Sequence, residues 1–363
     1  MRLKKITFFN CRNLANDELE FNSKANIFYG KNGQGKTSIL EAIYFNISGT
    51  SFRTKKNQEM IKYNENQIKF FSHYEDVIGE KNIAIAIRNN KKEYYYNKKK
   101  VKYDDFIGKV NVISFIPEDI LLITGTPSVR RGFFDYEISQ SNYNYYLNLK
   151  KFNKVLKTRN HLLKTRNTKN EVFKLYNTEL IKVSIAIIQK RQEFTKNLSR
   201  LLNLNYRKLF DIKAELKIKY ESFLGEIEKE SREELIKKIE KKMEEVQERE
   251  KRYGYSLIGP QKDKYTFMLN DKDSKLYSSQ GEKKSIVFAI KVSEIDMIVR
   301  EKKEYPVFLL DDISSYFDST REEKILEYFE KKNIQLFITS TEELDIVAKK
   351  FYVKDGIINV EST

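Results

Sequence analysis

Cysteine and histidine are scarce in this sequence of 363 residues, which holds one cysteine, Cys11, and two histidines, His73 and His161. One thiol cannot form a disulfide framework or a cysteine-based zinc site. The histidines are far apart in the sequence and lie outside any metal-binding motif, so we interpret both as ordinary surface or core residues. The chemistry must therefore depend on other residue types.

Long apolar runs are missing as well. No run approaches the roughly 18 apolar residues that span a membrane. Residues 1–9 lack the apolar stretch and the cleavage site of a secretory signal peptide. We therefore expect a cytoplasmic protein that has no membrane partner.

Positive charge exceeds negative charge in this sequence: 68 lysines and arginines against 52 aspartates and glutamates give a formal net charge of +16. Such a charge favours an anionic partner such as nucleic acid. The abundance of Lys, Asn, Ile and Tyr is also what an AT-rich genome would encode. Composition alone leaves both explanations open.

A glycine-rich segment follows a short apolar run and precedes a segment with helical character, the context of a phosphate-binding loop between a strand and a helix. Gly30, Gly33 and Gly35 allow the backbone to turn its N–H groups around phosphate oxygens. Lys36 adds a charge for the β- and γ-phosphates, and the Thr37 hydroxyl can hold Mg²⁺. The predicted nucleotide-binding residues of this loop are Gly30, Lys31, Asn32, Gly33, Gln34, Gly35, Lys36, Thr37 and Ser38.

Two acids follow the apolar run at residues 307–310, which is typical of a strand buried on both faces. The carboxyl end of such a strand is where α/β sheets bind ligands. Together with the phosphate-binding loop, this position predicts that Asp311 holds Mg²⁺ and that Asp312 polarises the attacking water as general base. The simpler alternative is a pair of acids that only caps a strand.

A second polar turn, residues 278–282, precedes another helical segment. The Ser279 hydroxyl and the Gly281 N–H would form a further anion site, or Ser279 would simply cap the helix. One γ-phosphate does not need two such loops from one subunit. We therefore predict that this turn serves the nucleotide of a second copy across a two-fold dimer.

Helical periodicity replaces the strand pattern in the middle of the chain, where glycine and proline are rare. We predict a helical arm domain at residues 127–252, inserted between the two parts of a head domain at residues 1–126 and 253–363. Lysines line one face of the helix around residues 149–164, where they would follow a nucleic-acid backbone or form only a solvated face. The candidate DNA-binding residues are Lys150, Lys154, Lys157 and Lys164.

The order and spacing of these motifs resemble the SMC-like branch of the ABC-type ATPases, and within it the RecF family of bacterial recombinational repair proteins. The resemblance covers essentially the whole chain, although no single segment decides it. Besides the motifs above, the segments that carry it are residues 115–119, 125–131, 134–135, 259–263 and 335–339.

The resemblance implies an α/β fold, an ABC-type P-loop ATPase head with a mixed β-sheet and flanking helices, and an inserted α-helical arm lobe. It implies ATP and Mg²⁺ as cofactors, and a homodimer that closes on double-stranded and gapped DNA when ATP binds. Weak, DNA-dependent ATP hydrolysis would release the DNA, and RecR and RecO would be partners in loading recombinase. Ser279 would take the signature role toward the partner's nucleotide, Arg12 would lie near the phosphates, and Asp318 would be the acid of the D-loop.

The sequence departs from the family pattern in three segments. In the D-loop, Tyr316 and Phe317 stand between Ser315 and Asp318 where the family usually has glutamate and leucine. Gln261 and Lys262 stand where the family usually has histidine and arginine, and Lys284 replaces an arginine of the signature helix. Because arginine and lysine hold anions differently, these changes bear on the dimer contacts and the hydrolysis rate.

Three other classes of protein share part of this pattern. The ATPase subunit of a transporter commonly has a histidine after the last strand, where this chain has Thr339, and a long helical arm is unexpected there. A chromosome-organising or break-repair SMC-type ATPase needs far longer coiled coils than residues 127–252 provide. A DNA-binding protein with a degenerate nucleotide site would not need Lys36, Asp311 and Asp312 to be intact.

Overall fold

The computed structural model of the chain contains two compact units. The first comprises Met1–Asp119 and Lys284–Thr363, and the second comprises Ile120–Lys283. These units are defined by compactness alone, so the boundaries given above for the head and arm domains remain predictions. The structure describes residues 1–227, 230–332 and 334–361, apart from the side chain of Ser315.

Most of the strands belong to the first unit, and the long helices between residues 127 and 253 belong to the second. In chain order the strands are β1 (Arg2–Phe9), β2 (Asp17–Glu20), β3 (Ala25–Tyr29), β4 (Gln67–Glu75), β5 (Glu80–Arg88), β6 (Lys91–Tyr96), β7 (Lys99–Val101), β8 (Val112–Phe115), β9 (Leu216–Glu221), β10 (Lys264–Leu269), β11 (Lys272–Asp273), β12 (Val307–Leu310), β13 (Leu336–Ser340), β14 (Lys349–Lys354) and β15 (Ile357–Val360). The α-helices are α1 (Lys36–Ser48), α2 (Tyr103–Phe106), α3 (Leu121–Thr124), α4 (Pro127–Ser141), α5 (Tyr143–Lys164), α6 (Glu171–Leu209), α7 (Arg232–Tyr253), α8 (Ser274–Tyr277), α9 (Gln280–Lys302), α10 (Ile313–Tyr316) and α11 (Ser319–Glu330).

A mixed sheet in the first unit has the strand order β15-β14-β3-β13-β12-β8, in which only the edge pair β14 and β15 is antiparallel. Strands β12 and β13 are buried along their whole length, as expected for apolar parallel strands covered on both faces. Since β3 and β12 are both parallel to β13 between them, their carboxyl ends meet at one edge of the sheet. The residues after Tyr29 and after Leu310 are therefore brought together.

The other sheet of the first unit is antiparallel, with the order β2-β1-β4-β5-β6-β7. In β5, Ile83, Ile85 and Ile87 point into the core that this sheet shares with β3 and α1. Strands β6 and β7 form a hairpin, in which Tyr96 pairs with Lys99 across a turn that contains Lys98.

The helices α5, α6 and α7 of the second unit are joined by one buried guanidinium. Arg159 of α5 donates from Nη2 to Glu250 of α7 at 2.6 Å and from Nε to Asn177 of α6 at 2.8 Å. Arg159 and Glu250 are both almost completely buried. The apolar faces predicted from helical spacing thus pack around a charged pair that is satisfied by hydrogen bonds.

A three-stranded sheet, β11-β10-β9, also belongs to the second unit, and its strand β9 was not predicted. The expectation of helical spacing throughout this part of the chain is wrong at residues 216–221. The alternation was present in the sequence, because Leu216 and Ile218 are buried whereas Lys217 and Lys219 are exposed. Within the described part of the chain, no helix is long and apolar enough to cross a membrane.

Candidate nucleotide site

The glycine-rich loop connects β3 to α1, as the sequence predicted. Its glycines have φ angles of 141° at Gly30, 81° at Gly33 and 111° at Gly35, which L side chains rarely adopt. A Cβ atom on Gly30 would also lie 2.4 Å from the carbonyl oxygen of Val353. The loop conformation therefore requires glycine at these positions, and the N-terminus of α1, at Lys36, directly follows it.

The turn between β14 and β15 supports this loop. The amide of Gly356 donates to the carbonyl oxygen of Gln34 at 3.0 Å, and the amide of Asp355 donates to the Gln34 side chain at 2.5 Å. A Cβ atom on Gly356 would lie only 2.0 Å from the carbonyl oxygen of Asn13, so this position also requires glycine. Asp355 and Gly356 form the turn of this hairpin, whose strands pair from Lys354 and Ile357 outwards.

The side chain of Lys36 folds back under the loop. Its Nζ donates to the carbonyl oxygens of Gly30 and Lys31, at 2.5 Å and 2.9 Å. Burial lowers the pKa of Lys36, although the charges of Asp312 and Asp311 oppose this shift. The two hydrogen bonds that hold the ammonium at the loop thus go to carbonyl oxygens, which carry only partial charges.

Asp311 lies at the end of β12 and accepts two hydroxyl hydrogen bonds on Oδ1. One comes from Thr37 at 3.0 Å and the other from Thr339, in β13, at 2.6 Å. Burial is the main cause that raises the pKa of the Asp311 carboxyl, and the charges of Asp312 and Glu118 add to it, whereas the two hydroxyl hydrogen bonds oppose it. This site offers the hydroxyl and carboxylate oxygens that Mg²⁺ prefers.

Asp312 adopts the left-handed conformation, with φ 54° and ψ 57°. Its amide donates to the hydroxyl of Thr339 at 2.9 Å, which fixes the backbone directly after the buried strand. Aspartate tolerates this region better than most residues, and such conformations cluster at functional sites.

Most of the predicted residues meet around one cavity of about 930 Å³, which is lined entirely by residues of the first unit. Its volume is within the usual range for a site that binds a small molecule or cofactor. Among the predicted loop residues, Gly30, Lys31 and Gln34 are not part of the lining. The lining residues are Arg12, Asn13, Asn32, Gly33, Gly35, Lys36, Thr37, Ser38, Arg53, Ile61, Lys62, Tyr63, Asp311, Asp312 and Thr339.

Arg12 lines the cavity, but its guanidinium is bound to Glu41 of α1. Two parallel hydrogen bonds join them, from Nε at 2.9 Å and from Nη2 at 2.8 Å. Glu41 is completely buried, and Arg53 lies 3.5 Å from it. The hydrogen bonds to Glu41 raise the pKa of Arg12. Contact of Arg12 with phosphate remains a prediction.

Ser279 and Gly281 belong to the second unit. The Ser279 hydroxyl accepts from the amide of Glu282 at 3.2 Å, and the Glu282 carboxylate accepts from the amide of Ser279 at 2.6 Å. This reciprocal pair is a capping box at the start of α9. Gly281 lies in the first turn of α9, rather than in a turn ahead of the helix as the sequence predicted.

The candidate DNA-binding lysines also belong to the second unit. All four are on α5 and are exposed to solvent: Lys150, Lys154, Lys157 and Lys164. Their exposure is equally compatible with a solvated face, so their role in binding remains a prediction.

Sequence reasoning missed several residues of the site. Thr339 joins Asp311 to Asp312, and its only signal was a polar residue near the end of an apolar strand. Glu41 looked like one polar residue of a helix, and nothing in the sequence linked it to Arg12. Glu118 was missed as well, and its negative charge contributes to the raised pKa of Asp311.

The model of the RecF/RecN/SMC N-terminal domain family matches residues 2–354 of this chain. The DNA replication and repair protein RecF of Ruminiclostridium cellulolyticum is 34% identical over 354 residues, which cover 94% of this chain and 93% of that protein. The protein of the same name from Clostridium beijerinckii is 35% identical over 370 residues, which cover 99% and 98%.

Solved structures agree with these relatives. A structure of the recombination mediator protein RecF with ATP, from the RecFOR pathway, is 30% identical and has a TM-score of 0.93, with 99% of this chain and 98% of that chain covered. An SMC head bound to the C-terminal winged-helix domain of ScpA is 14% identical and has a TM-score of 0.59, with 100% and 98% covered, which shows a shared fold. The predicted fold class, an α/β head of the ABC ATPase type, is confirmed. The chain belongs to the RecF family of DNA replication and repair proteins.

Proposed function

We propose that the chain is an ATP-dependent DNA-binding repair protein. In this proposal ATP binding drives homodimerisation and closure on DNA at single-strand gaps and junctions between single- and double-stranded DNA. The observation that carries the proposal is that side chains of the glycine-rich loop and the acids after β12 line one cavity. The biological role is supported by the relatives, which are named for DNA replication and repair and include a RecF–ATP structure.

ATP would be held by the glycine-rich loop, residues 30–38. The loop N–H groups and the N-terminus of α1 favour a phosphate anion. The ammonium of Lys36, which bonds two carbonyl oxygens, would be better neutralised by the charge of β- and γ-phosphates. The binding cavity is large enough for a nucleotide.

Mg²⁺ fits the oxygen pair formed by Thr37 and Asp311. The hydroxyl and the carboxylate oxygen are already within 3.0 Å of each other. Because burial raises the pKa of Asp311, a divalent cation here would stabilise the charged form of the carboxyl. The cation would supply neutralisation of the negative charge on the phosphates.

Asp312 is the proposed general base of a weak, DNA-dependent ATPase. It would accept a proton from water as the water oxygen bonds to the γ-phosphorus and the bond to the bridging oxygen breaks, which yields ADP and phosphate. The hydrogen bond from its amide to Thr339 keeps its backbone in place for this role.

A second copy of the chain would complete the site. Ser279 and Gly281 stand at the start of α9, where the helix dipole and N–H groups favour an anion such as the partner's γ-phosphate. A two-fold dimer would place each signature turn against the other subunit's nucleotide. Arg12, in the cavity lining, is the proposed additional contact with the phosphates.

DNA would contact the lysine face of α5, with double-stranded and gapped DNA as the substrates and RecR and RecO as protein partners. The choice of partners is supported by the structural relative with ATP, which is a mediator protein of the RecFOR pathway. Lysines along a helix bind phosphates without reading sequence, as expected for recognition of a DNA structure.

The proposal is tested by measuring the mass of the protein in solution with ATP, with ADP and without nucleotide. DNA binding is measured in the same three states. We expect a dimer and tight DNA binding with ATP only. A protein that stays monomeric with ATP, and binds DNA equally in all three states, would refute the mechanism.

A further inference from the structure

A polar groove lies between α6 and the edge strand β9 in the second unit. It encloses about 450 Å³. Among the described residues that line it, three side chains are cationic and none is a carboxylate. The lining residues are Gln192, Thr195, Lys196, Ser199, Arg200, Asn203, Leu216, Lys217, Ile218 and Tyr220.

The backbone of β9 is not available to pair with a further strand along this groove. The amide of Leu216 donates to Asn203 Oδ1 and the amide of Ile218 donates to Ser199 Oγ, both at 3.0 Å. An edge strand whose N–H groups are occupied in this way is protected from strand addition. At Leu216 and Ile218, a ligand of the groove must therefore be recognised by side chains.

Two of the three cations in the groove have no carboxylate partner among the residues that the structure describes. Lys196 and Arg200 are exposed on α6, about 6 Å apart along the helix axis. Within the described part of the chain, neither one forms an ion pair. Lys217, on the facing strand, lies 2.9 Å from Glu215 and 3.4 Å from Asp271 at the rim.

The part of α6 that precedes the groove has a different charge arrangement. Lys182 and Lys190 are on the same helix but outside the groove lining, and each has a carboxylate partner. Lys182 lies 3.5 Å from Glu179, and Lys190 lies 3.0 Å from Glu193. Between Lys182 and Arg200, the exposed cations of α6 that form no ion pair with a described residue are thus the two in the groove.

We infer that this groove binds the phosphodiester backbone of duplex DNA, with Lys196 and Arg200 on successive phosphates. The inference rests on the proposed function and deepens it, because it assigns the contact to α6 and β9 in addition to the lysines of α5. Asn203 and Ser199 use acceptor oxygens toward β9, so their N–H and O–H donors can add neutral hydrogen bonds to phosphate oxygens. Contacts of this kind position DNA without reading its sequence.

The test compares Lys196→Ala/Arg200→Ala with the charge-matched control Lys182→Ala/Lys190→Ala in the full chain. Binding of a labelled duplex of random sequence is measured by fluorescence anisotropy with ATP over a salt series. The loss of two phosphate contacts should make the negative slope of log K against log salt less steep by about 1.8. It should also weaken binding about tenfold. The control should bind within about twofold of the unmodified chain, since its lysines are already paired.

The possible failures can be distinguished. An unmodified chain that binds no duplex in any nucleotide state refutes the proposed function, and this inference with it. If the unmodified chain binds duplex DNA and the groove variant binds as tightly as the control variant, the inference is refuted and the proposed function stands. Alanine favours helices and both positions are exposed, so the variant should fold; Lys196→Gln/Arg200→Gln repeats the charge loss with longer side chains.

Discussion

The hydroxyl of Thr37 donates a hydrogen bond of 3.0 Å to Oδ1 of Asp311, which joins residues 274 positions apart in the chain. The contact exists because Thr37 follows β3, Asp311 follows β12, and both strands run parallel to β13 between them. It places the two oxygen atoms proposed to bind Mg²⁺, the hydroxyl of Thr37 and the carboxylate of Asp311, next to each other.

Asp311→Asn should impair hydrolysis that depends on Mg²⁺ without lowering the stability of the fold. Asparagine can still accept from Thr37 and Thr339, and it removes a charge that burial opposes, so we expect no loss of thermal stability. Without the carboxylate, ATP hydrolysis with Mg²⁺ should fall by at least about 100-fold. Phosphate release measures the activity, and ATP binding in EDTA, which should match the unmodified chain, is the control. Normal hydrolysis in Asp311→Asn would remove Asp311 from the metal site.

Asp312→Asn should abolish hydrolysis without preventing ATP binding. Asparagine tolerates the left-handed conformation of Asp312, so the backbone should be kept. Loss of a general base lowers rates by about 10² to 10⁴. We therefore expect slow phosphate release and an ATP-bound dimer that persists for longer. Asp312→Ala, which adds about 1 kcal/mol of backbone strain, is the comparison for thermal stability. Hydrolysis at the normal rate in Asp312→Asn would exclude this residue as the base.

Arg12→Ala should destabilise the first unit, because it leaves the buried carboxylate of Glu41 without its main partner. Breaking a buried pair of this kind costs about 3 kcal/mol. Arg53→Ala, at a more exposed and more distant partner of Glu41, should cost less than about 1 kcal/mol. Chemical denaturation measures both values. The double variant Arg12→Met/Glu41→Gln should recover most of the loss. An Arg12→Ala chain of unchanged stability but weaker ATP binding would instead make Arg12 a phosphate ligand only.

The sequence predicted those parts of the site that local chemistry determines. The glycines of the loop, Lys36 and the acids after an apolar strand each carry a signal within a few residues. Thr339, Glu41 and the contact of Gln34 with the turn at Asp355 depend instead on segments far apart in the chain. No pattern in one sequence records such pairings.

In the fold, too, local elements could be predicted and long-range pairings could not. The parallel strands could be predicted from apolar runs and the hairpin from Asp355 and Gly356, since each signal is contained in its own segment. Strand β9 was missed because it is a short segment soon after the long helix α6, whose period dominates the surrounding stretch. Its pairing with β10 joins residues more than forty positions apart, such as Tyr220 and Tyr265.

Lys154→Glu/Lys157→Glu tests the lysine face of α5. If this face follows a phosphate backbone, the variant should weaken binding of duplex DNA and flatten the salt dependence of binding by about 1.8 in log K against log salt. Lys237→Glu/Lys241→Glu on α7 changes the net charge by the same amount and is the control. Equal binding by both variants and the unmodified chain would make the α5 lysines a solvated face, without bearing on the groove beside α6.

Substitutions of Ser279 can separate two roles of this residue. In the structure it caps α9, and in the proposed dimer it would also contact the partner's nucleotide. Its hydroxyl caps α9 through Glu282, so Ser279→Ala should cost about 1 kcal/mol. Ser279→Asp preserves the cap, since aspartate is an equally good N-cap residue, but it places a negative charge where the partner's γ-phosphate would lie. We therefore expect Ser279→Asp to keep the thermal stability and the ATP affinity of the monomer while ATP no longer produces a dimer. Thermal unfolding, nucleotide binding and mass in solution measure the three quantities on the same sample. A Ser279→Asp chain that still dimerises with ATP would show that the turn is a cap alone, because a carboxylate in contact with the partner's γ-phosphate would repel it.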